Sequence, residues 1–265
     1  MRSSNPAFSR NEAFTRGGYA TFDVATPSSD QLESQYGMPS AVRERPMTIE
    51  DVVNKGGILF AVLLAVAVPV YFLAPPSLLF PLWIGGIIAT LVLGMVIAFS
   101  KTPKPGLMVL YAAVEGAFVG AISAFYAAAF APNLIPQAVL GTLAAFAAML
   151  LAYRTGLIRA SGRFKKVLLI AALGYFIFSL VNIGFVLFAG TSFFFDTGIL
   201  GVGLSLLGVT LASLFLVLDF DFIEQGIRNR LPAQYAWTAA FGLMVTLVWL
   251  YLEILRLLAI LRGSD

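Results

Sequence analysis

From Gly56 to Ser100 the chain carries no charged residue. A membrane-crossing helix needs about 20 apolar residues, so this stretch holds two crossings in succession. The break between them is "APPS" (74–77), because proline ends helices and favours turns. Composition extends the reading to the rest of the molecule. Of 265 residues 59% are hydrophobic and 12% charged, with a mean hydropathy of +0.89, whereas a soluble domain carries about 25% charged residues. The chain reads as an integral membrane protein whose first partner is the lipid bilayer.

The same logic places seven spans, near 57–73, 79–99, 107–129, 136–153, 167–189, 199–220 and 236–261. The predicted fold is all-α: a polytopic seven-transmembrane-helix bundle over residues 48–265. Residues 1–47, rich in Ser, Pro, Gly and scattered charge, read as a disordered cytoplasmic tail. Thr48, followed three residues later by Asp51, has the form of a capping box opening a short helix ahead of the first span. The connections are "KTPKPG" (101–106), "APNLIP" (131–136), "RTGLIRASGRFKK" (154–166), the aromatic "GTSFFFDTG" (190–198) and the polar turn "EQGIRNRLPAQ" (224–234). Small residues recur in the spans, as in "GGIIATLVLG", "EGAFVGAISA" and "GVGLSLLG"; such faces let helices approach closely.

Charge sorts these connections into two kinds. Lys101, Lys104, Arg154, Arg159, Arg163, Lys165, Lys166, Arg228 and Arg230 all fall in the second, fourth and sixth, while the first, third and fifth contain no Lys or Arg. Positive residues stay on the cytoplasmic side, which predicts a cytoplasmic N-terminus, an extracytoplasmic C-terminus and a multi-pass protein of the cell membrane. Arg262 runs the other way, and Arg256 lies within the last span. The net charge of +3 is carried in short loops, so it concerns orientation rather than nucleic acid.

The absence of cysteine and histidine removes whole classes of chemistry. Thiolate nucleophiles, Ser-His hydrolases, HExxH zinc sites and histidine proton relays are all unavailable. The opening "MRSSNPAFSRNEAFTRGG" has no apolar core of a signal peptide. Proton chemistry near neutral pH falls to carboxylates.

Several acids lie in or beside the spans, and an intramembrane acid is a candidate functional group by default. Glu115 sits about nine residues into the third span, about 13 Å from its end at the rise of an α-helix. Asp219 follows an uncharged run from Thr197 to Leu218. Asp221 is two residues further on and so points to another face, one that it shares with Glu224. Glu253 and Arg256, in "WLYLEILRLL", are three apart on one helix face. They form either an ion pair within the helix or a carboxylate facing the other acids with an arginine tuning it. A carboxylate in low dielectric beside another acid titrates nearer neutral pH. Two such groups form a proton-sensitive latch or an oxygen site for a hard cation such as Ca²⁺. Asp219 and Glu253 are the candidate ligands, with no resident cofactor expected.

The sequence resembles the Bax inhibitor-1/YccA (TMBIM) family, in particular its actinobacterial branch. The resemblance covers about residues 48–262. It is carried by "EGAFVG" (115–120), "LDFDFIEQG" (218–226) and "LVWLYLEILRLLAILR" (247–262), and the opening "MRSSNPAFSR" also looks like that branch. It implies a seven-helix bundle with the last helix central, and a pH-sensitive calcium leak governed by two aspartates on the last two helices. Glu253 stands at the position of the last-helix aspartate in "LYLD". Its partner would be Asp219, or Asp221 in the other register. The two acids are 34 residues apart, further than in typical members. In a simple hairpin Asp219 would lie near the surface and Glu253 much deeper. Direct contact then requires the start of the last span, around "QYAWTAAFG", to lie at the interface.

Two functions follow. One is a leak pathway for calcium or other cations, gated by protons at intramembrane carboxylates. The other is a non-conducting membrane regulator that binds other membrane proteins, as YccA-like members are thought to do with a membrane protease. An enzyme is not expected: the GxGD motif of intramembrane aspartyl proteases is missing, since Asp219 follows "VL".

Overall fold

The computed structural model describes residues 45–189 and 199–263. The chain divides into two units, residues 1–44 and 45–265, and the second holds all seven long helices. The expected tail, up to residue 44, and the aromatic loop 190–198 lie outside the described residues.

Among the described residues seven helices are long and apolar enough to cross a membrane, as the hydropathy pattern predicts. They are α1 (Ile49–Leu73), α2 (Pro76–Ala98), α3 (Pro105–Ala129), α4 (Leu134–Arg154), α5 (Gly162–Ala189), α6 (Ile199–Arg228) and α7 (Ala236–Gly263), with a 3-10 turn, Ala233–Tyr235, leading into α7. Among the described residues there is no β-strand, only one isolated bridge. The second, fourth and sixth connections mark what we call the basic end of the bundle.

The capping box is present. The Thr48 hydroxyl accepts from the Asp51 amide at 3.2 Å, and the Asp51 carboxylate accepts from the Thr48 amide at 3.0 Å. The helix it opens is not short, however. It runs unbroken through Gly56 and Gly57 into the first span. Two interior glycines cost about 1 kcal/mol each, but a break there would strand backbone groups at the edge of the lipid. Gly56 also lies against Ala240 of α7.

At its far end α6 runs to Arg228, about two turns past the expected end of the span. Ion pairs and hydrogen bonds at i,i+4 spacing hold this extension: Arg228 with Glu224, and Gln225 with Asp221. The true turn is short. Leu231 N bonds Gly226 O at 3.0 Å, and Arg230 takes the left-handed conformation, φ 51°, a Schellman closure in which glycine is more usual. The α4 terminus closes the same way with Gly156 at φ 75°.

The packing explains the small-residue faces. Gly116 and Gly120 of α3 lie directly on the backbone carbonyls of Leu63 and Ala67 in α1; a Cβ on Gly116 would stand 3.1 Å from Val66 Cβ. Gly86 of α2 lies against the Cα and Cβ of Phe118 in α3. The most buried helices are α3 and α7, and α7 packs against α1, α3, α4 and α6. The last helix is therefore central, as the resemblance implies. Helix α5 sits at the margin and packs on α6. Arg262, the exception in the charge pattern, donates to Asn133 at 2.5 Å and Gln137 at 3.2 Å across the α3–α4 turn.

Candidate functional site

Glu253 is 5% exposed, in the middle of α7. Three elements converge on its carboxylate. One oxygen accepts from the Tyr175 hydroxyl of α5 at 2.8 Å and from the Trp249 indole one turn back at 3.0 Å. The other is ion-paired with Arg256. Arg256 also donates to the Tyr175 hydroxyl, and to Ser205 of α6 at 3.1 Å. Of the two arrangements open from the sequence, the structure has the ion pair within the helix. The pair is wedged against Gly208 of α6. Any Cβ there would collide with the Glu253 carboxylate and stand 2.5 Å from the Tyr175 hydroxyl.

Asp219 lies elsewhere. It projects from α6 onto an earlier part of α7, with Oδ1 3.5 Å from the position a Cβ on Gly242 would take. The hydroxyl of Thr246, one turn further along α7, is its hydrogen-bonding neighbour. Its other oxygen, Oδ2, is buried and has no hydrogen-bond partner among the described residues. Thr246 and Glu253 are seven residues apart, about 10 Å along a helix. The structure therefore does not bring Asp219 and Glu253 together. Ala236, Ala239 and Ala240 are all buried, so α7 enters the bundle from its first residue.

Asp221, the alternative partner, is no closer to Glu253. It turns outward to Lys165 at the start of α5 and to Gln225, as its rotation of about 200° from Asp219 requires. Glu224 binds Arg228 and the Tyr153 hydroxyl. Glu115 is 6% exposed on α3, with the Tyr111 hydroxyl as its hydrogen-bonding neighbour. The Tyr111 ring meets Phe241 of α7 edge-on at 4.8 Å, which sets this acid on the α3 side of the last helix.

A shared Ca²⁺ site for Asp219 and Glu253 does not fit this geometry. Calcium takes six to eight oxygens; Glu253 is already filled by N–H and O–H donors, about 10 Å along α7 from Thr246, which lies beside Asp219. No group of three or more acids among the described residues is placed to hold a metal.

Sequence reasoning missed Tyr175, Ser205, Thr246 and Trp249. The spacing of Trp249, Glu253 and Arg256 on one face was a usable signal. Nothing local marks Tyr175, which arrives from another helix.

The model of a family described as Bax inhibitor 1 like matches residues 5–263. The match begins well inside the tail, ahead of the 48–262 over which the resemblance was expected. A comparison with curated proteins found no match.

Proposed function

The chain belongs to the Bax inhibitor 1 like family, and from that premise we propose that this multi-pass membrane protein is a pH-sensitive leak pathway for cations, Ca²⁺ foremost, gated by intramembrane carboxylates. The observation that carries the reading is Asp219, a carboxylate inside the bundle with one buried oxygen and no donor for it. An ionised carboxylate in that state is costly to bury, and a proton or a passing cation relieves the cost. Asp219 is then the group whose state changes. Charged, it draws a cation toward Thr246 and the face of α7. Protonated, it is neutral and leaves the helices shut against each other. Glu253 has a different role. Arg256 compensates its charge permanently, and Tyr175, Trp249 and Ser205 fix the pair in place, so it braces the far half of the path. Glu115 borders the path from α3. The basic end faces the cytoplasm in a cell membrane.

Purified full-length protein in liposomes, with a calcium dye inside, tests this reading. The expected result is Ca²⁺ entry that changes between about pH 6 and 8, the range open to shifted carboxylates, with Asp219→Asn flattening that change. Silence from correctly inserted protein, together with a co-purifying membrane protease or other membrane protein, would replace the leak with a non-conducting regulator. Reporter fusions at residues 2 and 265 test the orientation; two ends on one side would sink it.

A further inference from the structure

Immediately before α1 the chain crosses the basic end of the α6–α7 hairpin. Pro46 pairs antiparallel with Pro232 in an isolated bridge. The Met47 amide donates to Leu231 O and the Ala233 amide to Arg45 O, each at 2.8 Å. This pattern makes Pro46 and Pro232 a non-hydrogen-bonded pair, the one position in an antiparallel ladder where a residue without an N–H loses nothing. The same prolines stop the ladder from growing, so the strap remains a single bridge.

Met47 is the strap's only buried side chain, at 2% exposure. It fills the space left by Gly226 of α6: a Cβ on that glycine would stand 2.7 Å from Met47 Cε. Gly226 is seven residues beyond Asp219, hence on the same face of α6 and about 10 Å nearer the basic end. Met47 thus caps the line of positions that begins at Asp219. What holds it is slight: two backbone hydrogen bonds, one apolar side chain and an Arg45–Asp51 ion pair at 2.5 Å whose arginine is largely exposed. The turn itself has a separate anchor. Lys55 of α1 bonds Ala233 O and lies over the Trp237 ring, so the strap can lift without releasing the hairpin.

We propose that residues 45–47 are a releasable plug, with Met47 seated on Gly226 closing the basic end of the path that runs past Asp219. The plug rests on the conduction reading above and adds a second point of control, worked from the segment that precedes α1.

The chain contains no cysteine, so a Pro46→Cys/Pro232→Cys pair can be oxidised with no competing thiol in the chain. Non-hydrogen-bonded partners have Cα atoms about 4.5 Å apart, within disulfide range. In liposomes the oxidised protein should pass Ca²⁺ about tenfold more slowly than the same sample reduced, because the lock removes the open population. Met47→Ala should raise flux severalfold in an otherwise natural chain. Equal flux before and after reduction, with the disulfide confirmed by mass spectrometry and Asp219→Asn still altering flux, overturns the plug and leaves the leak standing. So does unchanged flux from Met47→Ala. No flux from any variant, oxidised or reduced, overturns both.

Discussion

Two carboxylates lie between α6 and α7 in opposite circumstances. Around Glu253 every oxygen is answered: Tyr175, Trp249 and Arg256 supply the donors, and Gly208 lets α6 press against the group. Around Asp219 one oxygen is left unanswered, and the neighbour offered by α7 is an uncharged threonine. A buried acid that is fully paired behaves as structure, since any change in its state breaks several bonds at once. An acid with one oxygen unanswered has fewer bonds to break when its surroundings change. Glu253, only 5% exposed, is the fully paired one, so burial alone does not decide how a carboxylate is held.

The largest effect that could break this contrast comes from Arg256→Leu. Removing one member of a buried ion pair costs about 3–5 kcal/mol, and a thermal melt in detergent should show it. Replacing both Glu253 and Arg256 by leucine should recover most of the loss, because no charge is then left alone. A single variant as stable as the natural chain would mean that the Glu253 niche is not the brace described here.

Next is Gly208→Ala. Its methyl group meets the carboxylate and the Tyr175 hydroxyl, an overpacking worth about 1–3 kcal/mol. Gly242→Ala, beside Asp219, meets only an ordinary contact and should be silent in the same assay. Equal losses at the two glycines would erase the difference in packing between the niches.

Asp219→Asn should cost no stability and add up to about 1 kcal/mol, because an amide is cheaper than an ionised carboxylate to leave half-paired. A clear loss would show that Asp219 is bonded more fully than its surroundings indicate. Asp221→Asn comes last. Lys165 is 36% exposed, and such pairs contribute little, so the change should stay within about 0.5 kcal/mol.

Much of the architecture is legible in the sequence because the bilayer dictates it. Uncharged runs, prolines between them and the alternation of basic connections suffice for seven helices. The site is legible only where its partners share a helix. Glu253, Arg256 and Trp249 fall at spacings of three and four, and the pair within the helix was one of the two arrangements open from the start. Contacts between helices were not legible. The separation of Asp219 and Glu253 is the exception, because a simple hairpin already sets them at different depths: α6 continues as a helix to Arg228 and α7 starts at Ala236 inside the bundle, so the two acids hang at different heights. The extension of α6 carries its own Arg228–Glu224 ion pair and Gln225–Asp221 hydrogen bond, and a hydropathy window cannot register those.

The strap joins the beginning of the described chain to nearly its end. Lys55 and Ala233, which anchor the same corner, are 178 residues apart. A ribosome makes α1 long before the α6–α7 turn exists, so Met47 has no seat until six helices have entered the membrane. At synthesis rates of about 5–20 residues per second the corner stays open for many seconds. Its closure is therefore among the last events of assembly, and a chain cut short before Leu231 would leave Met47 and the start of α1 with nothing to close upon.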